Sequence, residues 1–142
     1  MIERFATDDA RIARNENVVR AFLKGWDDLD VDACMAQVTG DMCYLNQPLE
    51  AIRGKDDVRK MIASIFAPAK RCKFELVNVF GHENKVITER VDRWDWTGSG
   101  TWELELKVCG MFELTFDGKI CEWPAGPALR SSSRTSAARR RA

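Results

Sequence analysis

The chain has 142 residues, 45% hydrophobic and 31% charged, which is enough for one soluble domain with a real core. Its formal net charge of +0 argues against a general nucleic-acid or anionic-membrane partner. Met1 to Ala10 carries no apolar signal core and no apolar run reaches membrane length, so a cytoplasmic protein is expected. Cys34, Cys43, Cys72, Cys109 and Cys121 form no close pairs, and such a scattered odd set reads as core filling rather than a disulfide or zinc framework. His82 is the only histidine, which removes histidine triads and most metal sites, and there is no Gly-rich phosphate loop. No metal or cofactor is expected. Chemistry in this chain has to run on carboxylates, arginine, tyrosine and amides.

From about Asp8 to Leu29, Ile12, Val19, Phe22, Leu23 and Trp26 recur near helical spacing between charged residues. Asp30 is a good cap for a short second helix with Val31, Cys34, Met35 and Val38 as its stripe, closed by Gly40. Asp41 to Pro48 reads as a brief strand stopped by proline, with Met42, Tyr44 and Asn46 on one face. Ile52 to Asp57 turns into a third helix whose stripe is Val58, Met61, Ile62 and Ile65, and Pro68 stops it. The period then changes to 2. Cys72 to Phe80 is a strand, Gly81 to Asn84 a turn, and Lys85 to Trp96 a second strand. After a turn at Thr97 to Gly100, residues 102, 104, 106, 108, 112, 114 and 116 are apolar and alternate with charges, with Gly110 as an expected bulge or kink. Asp117-Gly118 signals a hairpin into Lys119 to Trp123.

These elements predict an α+β fold: three N-terminal helices packed on a strongly curved, mostly antiparallel sheet that encloses a pocket. The domain is expected to span residues 1–123. Residues 124–142, rich in Ala, Arg, Pro and Ser with no acidic residue, read as a disordered tail. A basic arm, an unstructured appendage and a frame-shifted natural end are all compatible with that composition.

The strand Lys85 to Trp96 carries the chemistry. Alternation puts Val86, Thr88, Arg90, Asp92, Trp94 and Trp96 on one face. Aromatics make that the inward face, yet it holds a cation and a carboxylate two residues apart. Such a pair is costly inside unless paired and hydrogen-bonded. It is therefore either structural glue or the polar floor of a pocket.

Tyr44-Leu-Asn46, Arg53-Gly54 before a helix, Thr88-Glu-Arg-Val-Asp92, Val108 to Leu114 and Gly118 to Trp123 together resemble the limonene-1,2-epoxide hydrolases, in the same order and at similar separations. The resemblance spans roughly residues 15 to 123. It implies the cone-shaped fold shared with steroid isomerases and polyketide cyclases, a homodimer, and cofactor-free addition of water to a small apolar epoxide. It also implies roles: Tyr44 and Asn46 hold the water, Asp92 protonates the departing oxygen, and Arg90 bridges two carboxylates. Read by themselves, Tyr44 fits an ordinary core tyrosine and Asn46 a turn former.

One part of the pattern is missing. The family's base lies two residues past the tryptophan of the last strand, and here Trp123 is followed by Pro124 and Ala125. Glu122 and Asp95 have the wrong parity to replace it. A lone carboxylate beside a guanidinium favours its ionised form, which has no proton to give, so impaired hydrolysis is expected. The alternatives are an isomerase or cyclase using Asp92 alone as acid/base, and a non-catalytic ligand-binding homodimer.

Overall fold

Helix α1, Ile2–Asp27, buries Val19, Phe22, Leu23 and Trp26 and covers one face of a sheet. It belongs to a computed structural model that describes residues 2–46 and 49–126. Helix α2 is Val31–Met35, strand β1 Val38–Asn46, β2 Ile52–Arg53 and helix α3 Lys55–Phe66. Strands β3 (Arg71–His82), β4 (Lys85–Asp95), β5 (Leu104–Leu114) and β6 (Ile120–Gly126) follow. No helix among the described residues is long and apolar enough to cross a membrane.

The three helices and six strands of the described residues make the expected α+β architecture. Sheet order is β2-β1-β6-β5-β4-β3, with β1 and β6 parallel and the remaining pairs antiparallel. The strong curvature expected from the sequence is not found. The sheet is open, with β2 and β3 at its edges, and of the bulge or kink expected at Gly110 the bulge is absent, since β4 and β5 stay in register straight through Thr88↔Gly110.

Other boundaries also move. Leu29 adopts the left-handed conformation (φ 52), and Asp30 N–H and Leu29 N–H turn back to the Gly25 and Trp26 carbonyls, so α1 ends at Asp27. Asp30 does cap α2, accepting from Ala33 N–H at 3.1 Å. Gly40 does not close that helix: α2 ends at Met35 and Gly40 lies inside β1. Trp102 and Phe116 fall outside β5 and are exposed. Cys109 is exposed rather than core filling, whereas Cys34, Cys43 and Cys72 are buried. Strand β6 continues three residues past Trp123, to Gly126. Two expectations, Pro48 as the stop of the first strand and disorder over 127–142, lie outside the described residues.

The core is an aromatic cluster between α1 and the sheet. Trp26 stacks on Phe74 (5.0 Å) and meets Phe66, Trp94 and Trp123 edge-on. Phe112 stacks on Trp123 at 5.3 Å, and Phe22 closes on both. Offset and edge-on contacts of this kind add to the burial of large apolar area. They also form the apolar bed against which the charged residues of β4 rest.

Candidate active site

Strand β4 turns Val86, Thr88, Arg90, Asp92 and Trp94 inward, and all five are buried. Its alternation places Arg90 beside Asp92 on one side of the sheet, where a guanidinium can reach a carboxylate two residues on. Arg90 Nε donates to Asp92 Oδ1 and Nη2 to Oδ2, both at 2.9 Å. Nη1 donates to Thr88 Oγ1 at 3.0 Å, and that hydroxyl donates on to the Gly110 carbonyl at 3.4 Å. Arg90 is 2% exposed and Asp92 6%. The guanidinium carbon lies 5.2 Å from the Phe74 ring centre and 5.9 Å from that of Trp123. A planar fork matched by a planar carboxylate and faced by aromatic rings is how a charged pair tolerates burial.

Tyr44 and Asn46 come from β1, which β6 and β5 separate from β4. The parallel register sets Tyr44 beside Trp123 and Asn46 beside Ala125. Tyr44 packs at 5.0 Å from the Trp123 ring. Burial pushes its hydroxyl pKa up, Arg90 pulls it down, Asp92 raises it again, and a hydrogen bond with the Asn46 side chain lowers it. The phenol therefore stays protonated at neutral pH and can donate, and it feels all three of the other candidate residues. Tyr44 and Asn46 are half-buried, and Leu106, beside Asp92 on the same face, is 45% exposed. Those three residues mark the accessible side.

Strand register fixes the inward carboxylates. Glu105 pairs with Arg93, and Glu113 with Lys85 and Glu122, on the outward face. Asp95 is committed elsewhere, accepting from Gly98 N–H (2.8 Å) and Arg71 Nε (3.1 Å). On the inward side of β4, β5 and β6, Asp92 is the one carboxylate among the described residues. The position two beyond Trp123 is Ala125, in register with both Asn46 and Gly110.

Three site residues were given no such role by the sequence. Thr88 lies on the inward face but has no obvious task until Arg90 Nη1 is seen on its hydroxyl. Trp123 is a core aromatic by pattern, yet its buried indole N–H has no partner among the described residues. Gly110 is required by close approach: a Cβ there would lie 2.6 Å from Arg90 Nη1. That approach is set by the β4–β5 register, Thr88↔Gly110, which no signal in the sequence fixes. Among the described residues no cluster of three His, Cys, Asp or Glu is placed to hold a metal.

A helix-covered open mixed sheet with a buried acid–arginine pair on its inner face defines a small α+β protein. The SnoaL-like domain family matches residues 19–123, and the chain belongs to that family. No functionally curated protein matches the sequence significantly. Among solved structures, an LEH-like epoxide hydrolase of M. tuberculosis is 23% identical with a TM-score of 0.72, over 84% of this chain and 86% of that one. An epoxide hydrolase/cyclase-like enzyme of pyran ring formation in the polyether salinomycin is 15% identical, TM-score 0.70, over 80% and 90%. A hypothetical protein of ketosteroid isomerase-like fold from Catenulispora acidiphila is 14% identical, TM-score 0.66, over 76% and 82%. At these identities the likeness is one of fold, a fold on which hydrolases, cyclases and isomerases are all built.

Proposed function

We propose that this chain adds water to a small apolar epoxide without a cofactor, and does so slowly. The observation that carries the reading is the buried Arg90–Asp92 fork with the Tyr44 hydroxyl and Asn46 nearby. Tyr44 and Asn46 orient a water toward the ring carbon. Asp92 protonates the departing oxygen in the small fraction of molecules in which it carries a proton beside Arg90, and the proton the water loses passes to solvent and restores Asp92. Among the described residues no second carboxylate on the inner face of β4, β5 and β6 takes that proton, and the resemblance puts the family's base at the position of Ala125. A missing general base costs on the order of 10²–10⁴ in rate. Diol formation from limonene oxide or cyclohexene oxide is expected to be detectable but low. Asp92→Asn is expected to abolish it, and Ala125→Asp to raise it by about 10²-fold or more. Turnover unaffected by Asp92→Asn would end the reading.

A second reading, isomerase or cyclase chemistry, has its own support. Both Asp92 oxygens accept from Arg90, the arrangement of an ionised carboxylate ready to take a proton. Proton shuttling on an enone needs only that one group. Isomerisation of enones by a chain inert toward epoxides, again lost in Asp92→Asn, would favour it. For either reaction we propose that a second copy of the chain is the partner, through the outer face of the sheet.

A further inference from the structure

We propose that Thr88 is a positioning residue: its hydroxyl, acting through Arg90, fixes which edge of the guanidinium Asp92 meets and so where the Asp92 oxygens lie. The inference rests on the reading of Asp92 as the reacting group and adds the residue that aims it. Thr88 is completely buried and shares the inner face of β4 with Arg90 and Asp92. By pattern alone it is a β-branched residue filling a strand. Its bonds say more. Thr88 Oγ1 donates its one proton to the Gly110 carbonyl at 3.4 Å, so toward Arg90 the hydroxyl can only accept, which it does from Nη1 at 3.0 Å. The chain of bonds therefore runs one way, from guanidinium to hydroxyl to strand β5.

A guanidinium has two forked edges, Nε with one Nη and the two Nη together, and either can hold a carboxylate. Asp92 takes the Nε–Nη2 edge, at 2.9 Å on each oxygen. The Phe74 and Trp123 rings beside the guanidinium limit its tilt, but they offer no lone pair to stop it turning in its own plane. Nη1, the nitrogen that Asp92 leaves free, is held by Thr88. Gly110 completes the seat, since a Cβ there would lie 2.6 Å from Nη1 and 3.3 Å from Thr88 Oγ1. Its backbone does not take a positive φ, so the glycine is needed for space and not for conformation. The tip of a free arginine would swing aside for a methyl group, but here three hydrogen bonds hold it in place. A carboxylate gripped at both oxygens by a guanidinium that cannot turn has its direction set. Misplacing a reacting group by about 1 Å costs on the order of 10²-fold in rate.

Thr88→Val keeps the branch and the volume but removes the acceptor, whereas Thr88→Ser keeps the acceptor. The first readout is the Arg90 Nε–H resonance of ¹⁵N-labelled protein, identified by its absence from the Arg90→Met, Asp92→Leu double variant. It is expected to lie downfield, as a proton shared with a carboxylate, to move upfield in Thr88→Val and in Gly110→Ala, and to stay in place in Thr88→Ser. The second readout is the urea midpoint. Thr88→Val is expected to lower it in the parent and far less in the double variant. A hydroxyl that matters only to the Gly110 carbonyl would lower both midpoints equally. On the epoxide or enone substrate, Thr88→Val is expected to lower kcat by about 10–100-fold with KM little changed, and Thr88→Ser to restore it. An Arg90 Nε–H resonance indifferent to Thr88→Val, equal midpoint losses in the two backgrounds, or an unchanged kcat would overturn the proposal. A chain inert toward both substrates would end the reaction reading alone, and the resonance and the midpoint would still decide whether Thr88 holds the pair.

Discussion

At the scale of single residues, Arg90 is tolerated at 2% exposure because Asp92 and Thr88 take its protons. Removing either charge leaves the other buried and alone, which costs about 3–5 kcal/mol, whereas replacing both with apolar side chains is often close to neutral. Arg90→Met and Asp92→Leu are each expected to be strongly destabilising in urea, and the double variant far less so than their sum. A strictly additive cycle would show that the two charges are stabilised by something other than each other. Asp95 predicts a pH effect. Burial pushes its pKa up, but Gly98 N–H and Arg71 outweigh this, so the folded value lies below the ordinary one. Its contribution is therefore present above the unfolded value of about 3.9 and lost as pH falls through the lower folded value. Asp95→Asn is expected to flatten the acid limb of a stability–pH curve below about pH 4; a curve parallel to that of the parent would refute this. The inward placement of Arg90 and Asp92 was legible because strand parity is rigid and aromatics marked the buried side. The close approach over Gly110 was not, since it depends on which residue of β5 faces Thr88.

At the scale of elements, α1 does more than bury a stripe. Strand β3 is an edge, and its outward N–H groups would be open to another strand. Asp27 accepts from Phe74 N–H at 2.7 Å and Glu16 from Gly81 N–H at 3.1 Å. Those two carboxylates are about three turns apart, on one face of the helix. The helix can lie that close because Gly81 has no side chain; a Cβ there would meet Ile12 at 2.6 Å. Asn15 also donates to the Glu83 carbonyl at the β3–β4 turn (3.3 Å), and Arg14 to the Phe116 carbonyl (2.8 Å). Asp27→Ala strands one N–H and also frees Lys73, and is expected to cost about 1–3 kcal/mol. Hydrogen exchange at Phe74 should rise well before that of β4. Equal protection on both strands would mean α1 does not seal the edge. Helical spacing made α1 visible in the sequence, but its end was hidden because Leu29, not glycine, takes the left-handed position. Gly40 misled for the complementary reason: a glycine near a helical stripe resembles a stop even when it lies in a strand.

At the scale of the whole molecule, the outer face of the sheet is unbalanced. Phe80, Ile87 and Met111 sit in one row across β3, β4 and β5, exposed by 61%, 43% and 36%. Val77, the extra residue of the β3 bulge, adds to the patch. A self-complementary contact needs the same surface to suit both copies. An apolar row within mixed charge does so: Glu75 and Glu105 flank Arg93, and Glu89 bonds Asn78. The formal net charge of +0 leaves no long-range repulsion between two copies. Because this row is on the side of the sheet opposite Arg90 and Asp92, association and chemistry should be separable. Ile87→Lys puts a charge at the middle of the row and is expected to halve the mass seen by sedimentation. The indole resonance of Trp123 and the urea unfolding slope should stay unchanged. A parent chain that sediments as a monomer at high concentration, or a dimer indifferent to Ile87→Lys, would remove the outer face from consideration as the contact.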